Sequence, residues 1–83
     1  MEPEFADQLN RLLQDADRPA SWLARRLHLS ASTVSRWLDG TTQPESLMRV
    51  EAILDTLRID EQEVRLNVLN AYRYWWRRRT ILK

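Results

Sequence analysis

LARRLHLSASTVSRWLDG, residues 23–40, is the stretch that decides the fold of this chain. Leu23, Ala24 and Leu27 keep helical spacing and predict one apolar helix face. Ser30 then supplies an N-cap hydroxyl, so a second helix can begin at once. The stretch therefore predicts two short helices joined by about three residues, which is the helix-turn-helix arrangement.

The second helix of this pair, about residues 31–38, separates an apolar set from a polar outer face. Val34, Trp37 and Leu38 follow the spacing of a buried side, and Gly40 ends the helix where a left-handed residue is favoured. The outer face consists of small, neutral or cationic residues, namely Ala31, Ser32, Thr33, Ser35 and Arg36. Such a face suits a helix that approaches base edges and phosphates in the DNA major groove.

The motif resembles the phage-repressor and Cro type of helix-turn-helix domain, the lambda-repressor-like or XRE-like family. The residues that match its pattern in order and spacing are Leu23-Ala24, Leu27, Ser30, Val34, Ser35-Arg36-Trp37, Gly40 and Pro44. The strong match covers residues 18–44, and a looser one runs from Phe5 to Ile59. The resemblance implies an all-α, five-helix lambda-repressor-like DNA-binding domain that fills residues 1–83 as a single domain. It also implies sequence-specific binding of double-stranded DNA by a small transcriptional regulator, such as a repressor.

The DNA-contacting residues follow from this resemblance by position. It implies base reading by Ala31, Ser32, Thr33, Ser35 and Arg36, and phosphate contacts by Arg18, Ser21, Thr41, Thr42 and Gln43. Arg36 can bind guanine through O6 and N7, whereas Ala31 can only touch a thymine methyl, which predicts modest specificity. His28 stands where the family most often has glycine, so we expect a left-handed backbone there. Asp39 departs from the usual neutral or basic residue and opposes a phosphate contact, unless it caps or pairs with an arginine.

Charge is sorted into blocks, although the net charge of the chain is only +1. Residues 18–36 hold four arginines and no acid, and residues 64–83 hold six basic residues and no acid. Acids dominate residues 1–17 and 37–63. The first basic block coincides with the predicted helix-turn-helix, where it would attract phosphates. The second block ends in Arg77-Arg78-Arg79 and Lys83, which either reach DNA or keep the aromatic end in solution.

Two scaffold helices flank the motif in the sequence. We expect helix 1 to begin at Pro3, with Asn10 facing water and with Phe5, Leu9, Leu12, Leu13 and Ala16 in the core. Helix 4 is expected from Glu45 to Leu57, and Ile59 after it should be buried. Its predicted apolar face consists of Leu47, Val50, Ile53, Leu54 and Leu57.

Helix 5 covers about residues 60–80 without glycine or proline and carries a surplus of aromatic residues. Asp60 as N-cap and Glu63 three residues later resemble a capping box. Its apolar stripe consists of Val64, Val68, Ala71, Trp75 and Leu82, widened by Leu69, Tyr72 and Trp76. We predict that Leu69, Tyr72, Trp75 and Trp76 form the interface of a two-fold homodimer or bind a protein partner. The alternative is that Tyr72, Trp75 and Trp76 fold back over helix 1.

Other classes of protein are disfavoured by what the sequence lacks. It has no cysteine and a single histidine, so we predict no metal, no cofactor and no enzyme activity. No apolar run approaches the ~20 residues of a membrane span, and we predict a cytoplasmic, nucleoid-associated protein of bacterial or phage type. Two alternative functions stay open: a protein-interaction module, for example the N-terminal domain of a larger signalling protein, and an antitoxin-like regulator. Trp22 either lies over a neighbouring helix or belongs to an apolar patch for a partner.

Overall fold

The computed structural model describes the backbone of residues 4–81 and the side chains of residues 4–76. Five helices and no strand occur in this part of the chain. They are α1 (Phe5–Asp15), α2 (Ala20–Arg26), α3 (Ala31–Leu38), α4 (Leu47–Thr56) and α5 (Gln62–Ile81). The predicted all-α architecture with a long C-terminal helix is therefore confirmed.

The core lies where all five helices meet and contains no buried charged or polar side chain among the described residues. The buried side chains include Phe5, Leu9 and Leu13 of α1, Leu23 and Ala24 of α2, Val34 and Trp37 of α3, Val50, Ile53 and Leu54 of α4, and Val68, Ala71 and Tyr72 of α5. Trp37 is only 2% exposed, which confirms the prediction that it belongs to the core. Burial of this apolar surface fixes the orientation of α3, because a rotation of the helix would expose the side chains of Val34 and Trp37 to water.

Serine side chains set the starts of two helices. The Ser30 hydroxyl accepts a hydrogen bond from the Thr33 amide at 3.2 Å, as predicted. The Ser46 hydroxyl does the same for the Arg49 amide at 3.2 Å. Helix 4 therefore begins at Leu47, and the predicted start at Glu45 is wrong.

The starts of the first and last helices also differ from the prediction by one or two residues. Glu4 has an extended backbone and α1 begins at Phe5. The predicted start at Pro3 lies outside the described residues, and Glu4 after it is not helical. Helix α5 begins at Gln62, one residue after the start that an Asp60 N-cap would give. The exact first residue of a helix depends on local capping, which the sequence pattern specifies only to within one or two residues.

Four helices end in the same way, with one residue in the left-handed region. These residues are Asp17, His28, Gly40 and Arg58, with φ of 55°, 59°, 81° and 57°. The amide after each one bonds back five residues, as in Leu29 N–H to the Ala24 carbonyl at 2.8 Å. This is the Schellman motif, which satisfies carbonyls left over at a helix end. The expected left-handed backbone of His28 is confirmed, and only one of the four positions holds the glycine that the motif favours.

Helix α5 is fixed to the rest of the domain through Tyr72. Its hydroxyl donates a 2.6 Å hydrogen bond to the Pro44 carbonyl, and its ring lies edge-on to Phe5 at a centroid distance of 5.8 Å. Tyr72 is 4% exposed, so its prediction as an interface residue is wrong: its ring packs back on α1. The cause is the hydroxyl, which finds a partner inside the fold.

Three further predictions about the core need correction. Ala16, which was expected in the core, is exposed at the C-terminal end of α1. Leu47, the first residue of α4, is 36% exposed, whereas Val50 in the same turn is buried. Ile59 packs against the core but is only half-buried. The predicted stripe residue Leu82 and the basic cluster Arg77-Arg78-Arg79 and Lys83 lie outside the residues whose side chains the structure describes.

Candidate DNA-binding surface

The outer face of α3 is the most coherent polar surface that the helix-turn-helix presents. Ala31, Ser32, Ser35 and Arg36 are exposed, and Thr33 is half-buried. The opposite face of the same helix holds Val34 at 0% and Trp37 at 2% exposure. The five predicted base-reading residues thus lie on one short helix whose rotation about its axis is set by the core.

Hydroxyl groups at the start of α3 bond to one another. The Ser30 hydroxyl lies 2.8 Å from that of Thr33 and 3.2 Å from that of Ser32. The Ser30 hydroxyl uses its one donor and two acceptor sites in these contacts and in the bond from the Thr33 amide. The hydroxyls of Ser32 and Thr33 each keep sites that can bond to a base or phosphate.

Asp39 is accommodated by the loop that follows α3. Its Oδ1 accepts a 2.8 Å hydrogen bond from the Thr41 amide. Hydrogen bonds from the Thr41 side chain and backbone, with a smaller contribution from the charge of Arg36, lower the pKa of the Asp39 carboxyl. Asp39 therefore caps the loop, which is one of the two roles expected for an acid at this position.

The predicted phosphate contacts after α3 compete with bonds inside the protein. The Thr41 amide is shared between Asp39 and the Arg36 carbonyl at 3.0 Å, and the Thr42 amide bonds to the same carbonyl at 3.3 Å. The Oε1 atom of Gln43 is buried and has no hydrogen-bond partner within the described residues. The loop is therefore shaped mainly by its own backbone bonds.

The predicted phosphate contacts at the start of α2 differ from one another. Pro19 is the N-cap and has no side-chain acceptor, so it cannot cap the first amides of α2. Ser21 is exposed beside these amides. Arg18, in contrast, places its guanidinium over the ring of Trp22, 4.9 Å from the centroid. Trp22 itself is half-buried and packs against the core, which agrees with its interpretation as a cover over a neighbouring helix.

Asn10 is a functional candidate that the sequence pattern missed. Its side-chain amide donates to the Ala6 carbonyl and to the Leu38 carbonyl, both at 2.9 Å. The second bond joins α1 to the last turn of α3, so the prediction that Asn10 faces water is wrong. An amide group with two donors fits two carbonyl acceptors. No pattern in the sequence links positions 10 and 38, which are brought together only by the packing of α1 on α3.

The arginines of the first basic block carry uncompensated charge at the surface. Arg18, Arg25, Arg26 and Arg36 are all exposed. Within the described part of the chain, ion pairs join Arg49 to Glu45 and Arg65 to Asp55, and neither involves this block. The positive charge predicted for the motif is thus available to an anionic partner.

These observations define a small all-α protein built on a helix-turn-helix. The chain belongs to the helix-turn-helix domain family of the lambda-repressor-like kind, which matches residues 4–66. The matched range contains α1 to α4 and the start of α5, including both helices of the motif. Comparison with curated proteins gave no significant match. Comparison with solved structures gave none either.

The family assignment agrees with DNA binding. Members of this family are typically not enzymes. Among the residues that the structure describes, no group of His, Asp and Glu side chains is placed to hold a metal ion. No helix in the same part of the chain has the length and apolar character to cross a membrane.

Proposed function

We propose that the protein is a small transcriptional regulator that binds double-stranded DNA sequence-specifically, with α3 in the major groove. The observation that carries the proposal is the division of α3. Val34 and Trp37 anchor one side in the core, and the other side exposes Ala31, Ser32, Ser35 and Arg36. A helix of this kind can be pressed against base edges without losing its packing.

Arg36 is the principal base reader in this proposal. Its guanidinium can donate two hydrogen bonds to guanine O6 and N7, while the short Ala31, Ser32, Thr33 and Ser35 reach fewer base atoms. A good bidentate contact discriminates between bases by about 1–3 kcal/mol. We therefore expect a short recognition motif with one strongly selected guanine in each half-site.

Phosphate contacts fix the register of α3 in the groove. We assign the first of them to Ser21 and the first amides of α2, which receive no side-chain cap from Pro19. Thr41, Thr42 and Gln43 would contribute at the other end, in competition with the loop bonds described above. For Arg18, a phosphate contact requires the guanidinium to leave the face of Trp22.

A homodimer is the second element of the proposal. The large apolar side chains that are exposed among the described residues all lie on α4 and α5: Leu47, Met48, Leu66, Tyr74 and Trp76. None lies on the helix-turn-helix, so the apolar surface and the DNA-reading surface are carried by different helices. The proposed interface includes Leu69, Trp75 and Trp76. A dimer of this family type would bind two half-sites about one helical turn, ~34 Å, apart.

The same exposed residues favour a second function, a protein-interaction module or an antitoxin-like regulator. Trp76 is 43% and Met48 is 79% exposed, and aromatic and methionine side chains are enriched at protein interfaces. In that case α5 would bind a different protein rather than a second copy. Either function is non-enzymatic, and DNA binding would place the protein with the nucleoid in the cytoplasm of a bacterium or on phage DNA.

Selection from a randomised duplex pool tests the DNA-binding proposal. We expect wild type to select a short motif and Arg36→Ala to lose the preference for guanine at one position per half-site. Arg11→Ala removes the same charge from an exposed position on α1 and should select the wild-type motif. Failure of wild type to enrich any sequence, even at low salt, would contradict sequence-specific binding.

Sedimentation tests the dimer separately. We expect a concentration-dependent dimer at micromolar protein and its loss in Trp76→Ala. A monomer at that concentration would contradict the homodimer and leave α5 as a surface for another protein.

A further inference from the structure

A cleft away from the DNA-reading helix combines three arginines with one tryptophan. Its walls are Arg18, before α2, Trp22 and Arg26 of α2, and Thr56, Leu57 and Arg58 at the end of α4. We call it the arginine–tryptophan cleft. Its volume is about 380 Å³, within the range of small-molecule sites. No residue of α3 lines it, and Arg18 is the residue that it shares with the proposed DNA phosphate contacts.

The indole of Trp22 holds two of the cationic groups. The guanidinium of Arg18 lies 4.9 Å and that of Arg26 lies 5.6 Å from the ring centroid. Both distances are within the range of cation–π attraction. The two guanidinium groups are therefore positioned before any ligand arrives, which reduces the entropy lost on binding.

The third arginine reaches the cleft through a strained backbone. Arg58 has φ of 57° at the residue after α4, where glycine would be preferred. The left-handed turn ends α4, and Arg58 lines the cleft together with Arg18 and Arg26. An arginine at the end of α4 can also interact favourably with the helix dipole. A measurement of ligand binding, rather than of stability, therefore distinguishes a binding site from a structural role.

The charge of the cleft is unbalanced. No carboxylate lines it, and the ion pairs of the described residues involve other arginines. Three guanidinium groups around one small volume match an anion that carries several charges within a few bond lengths. Guanidinium groups bind phosphate oxygens through paired, charge-assisted hydrogen bonds.

We propose that the arginine–tryptophan cleft binds a small polyphosphate, either inorganic or the polyphosphate part of a nucleotide. Arg26 and Arg58 grip the phosphates from α2 and from the end of α4, and Trp22 keeps Arg18 and Arg26 in place. The site is separate from base reading by α3, because none of its residues belongs to that helix. Arg18 is also a proposed DNA phosphate contact, so the test of the site uses Arg26 and Arg58.

Calorimetric titration with inorganic triphosphate at constant ionic strength tests the site. We expect saturable 1:1 binding to the full chain, weakened at least about tenfold in Arg26→Gln and in Arg58→Gln. Arg25→Gln is the matched control, because Arg25 is the neighbour of Arg26 on α2, is exposed, and does not line the cleft. It should bind triphosphate like wild type. Equal losses in all three variants, or no binding at millimolar triphosphate, would overturn the proposal.

Three further measurements distinguish the ligand and its place. Triphosphate should shift the NMR signal of the Trp22 indole N–H, and shifts confined to other tryptophans would contradict the site. Adenosine triphosphate in place of triphosphate separates the two sources: equal affinity indicates phosphate recognition alone, and tighter binding indicates a nucleotide. Hexaglutamate bound as tightly as triphosphate would overturn the choice of phosphate. A loss of DNA affinity in Arg26→Gln and Arg58→Gln, but not Arg25→Gln, would make the DNA backbone the occupant and overturn a small-molecule site.

Discussion

Removal of one oxygen atom from Tyr72 tests how α5 is attached to the DNA-binding domain. The Tyr72 hydroxyl donates a 2.6 Å hydrogen bond to the Pro44 carbonyl, between residues 28 positions apart. Tyr72 and Pro44 are both buried, so water cannot replace the bond. Tyr72→Phe keeps the ring contact with Phe5, leaves the carbonyl without its donor and also removes the hydrogen bond from Trp76.

The expected cost follows from that environment. A buried acceptor left without its partner destabilises a protein by about 1–3 kcal/mol. For a domain of 60–100 residues, each kcal/mol corresponds to a change in Tm of about 4–8 °C. Tyr74→Phe makes the same chemical change on the same helix at a residue that is 53% exposed, and should alter stability by no more than about 0.5 kcal/mol.

Thermal and urea unfolding of the two variants measure this difference. We expect Tyr72→Phe to be clearly less stable than both wild type and Tyr74→Phe. An unchanged Tm in Tyr72→Phe would refute the reasoning, because it would mean that the hydroxyl bond contributes nothing to holding α5. A similar loss of stability in both variants would show that the loss does not come from the buried hydrogen bond.

The pH dependence of stability tests the burial of the Tyr72 hydroxyl independently. Burial raises the pKa of Tyr72 above its ordinary value, and the nearby charge of Glu45 adds to this, although a hydrogen bond from Trp76 acts the other way. The folded state thus holds the phenol proton more tightly than the unfolded state. The stabilisation is complete below about pH 10 and is lost as pH rises through the raised pKa. As the pH rises above about 10, wild type should therefore lose stability more steeply than Tyr72→Phe, and equal slopes would contradict the link.

Three further substitutions test the local structure around α3. His28→Gly should stabilise the protein by about 0.5–1 kcal/mol in urea unfolding, because relief of left-handed strain exceeds the entropy cost of glycine; destabilisation would contradict this. Asn10→Ala should cost about 1–2 kcal/mol and weaken DNA binding, whereas exposed Gln14→Ala should do neither. Asp39, whose pKa is lowered, stabilises the fold above about pH 4 and loses this effect in acid, so Asp39→Asn should show a flatter acid limb; an unchanged acid limb would contradict the loop cap.

The helix-turn-helix could be predicted from sequence because its signals are local. The Ser30 cap, the apolar set of Val34 and Trp37, and the left-handed Gly40 each depend on residues a few positions apart. Side-chain spacing on one helix also fixes which face can be exposed, so the predicted reading face of α3 needed no knowledge of the other helices. The left-handed His28 was predictable only from the resemblance, since nothing local demands it.

The missed features depend on contacts between distant parts of the chain. Asn10 looks like a polar surface residue of α1, and only the packing of α1 on α3 brings its amide to the Leu38 carbonyl. Tyr72 shares its helix with exposed aromatic residues, and its burial is decided by Phe5 and Pro44. The contacts of Arg18 and Arg26 with Trp22 are local to residues 18–26, but Arg58, which follows α4, joins them only in the folded domain.

The most direct test of the central claim is a map of amide chemical-shift changes on titration with the duplex that wild type selects. With α3 in the major groove, we expect the largest changes at Ala31, Ser32, Ser35 and Arg36, and a second set at Ser21 and the start of α2. Changes confined to α5 or to the arginine–tryptophan cleft, with α3 unaffected, would show that DNA binds elsewhere. That result would contradict the placement of α3 in the major groove.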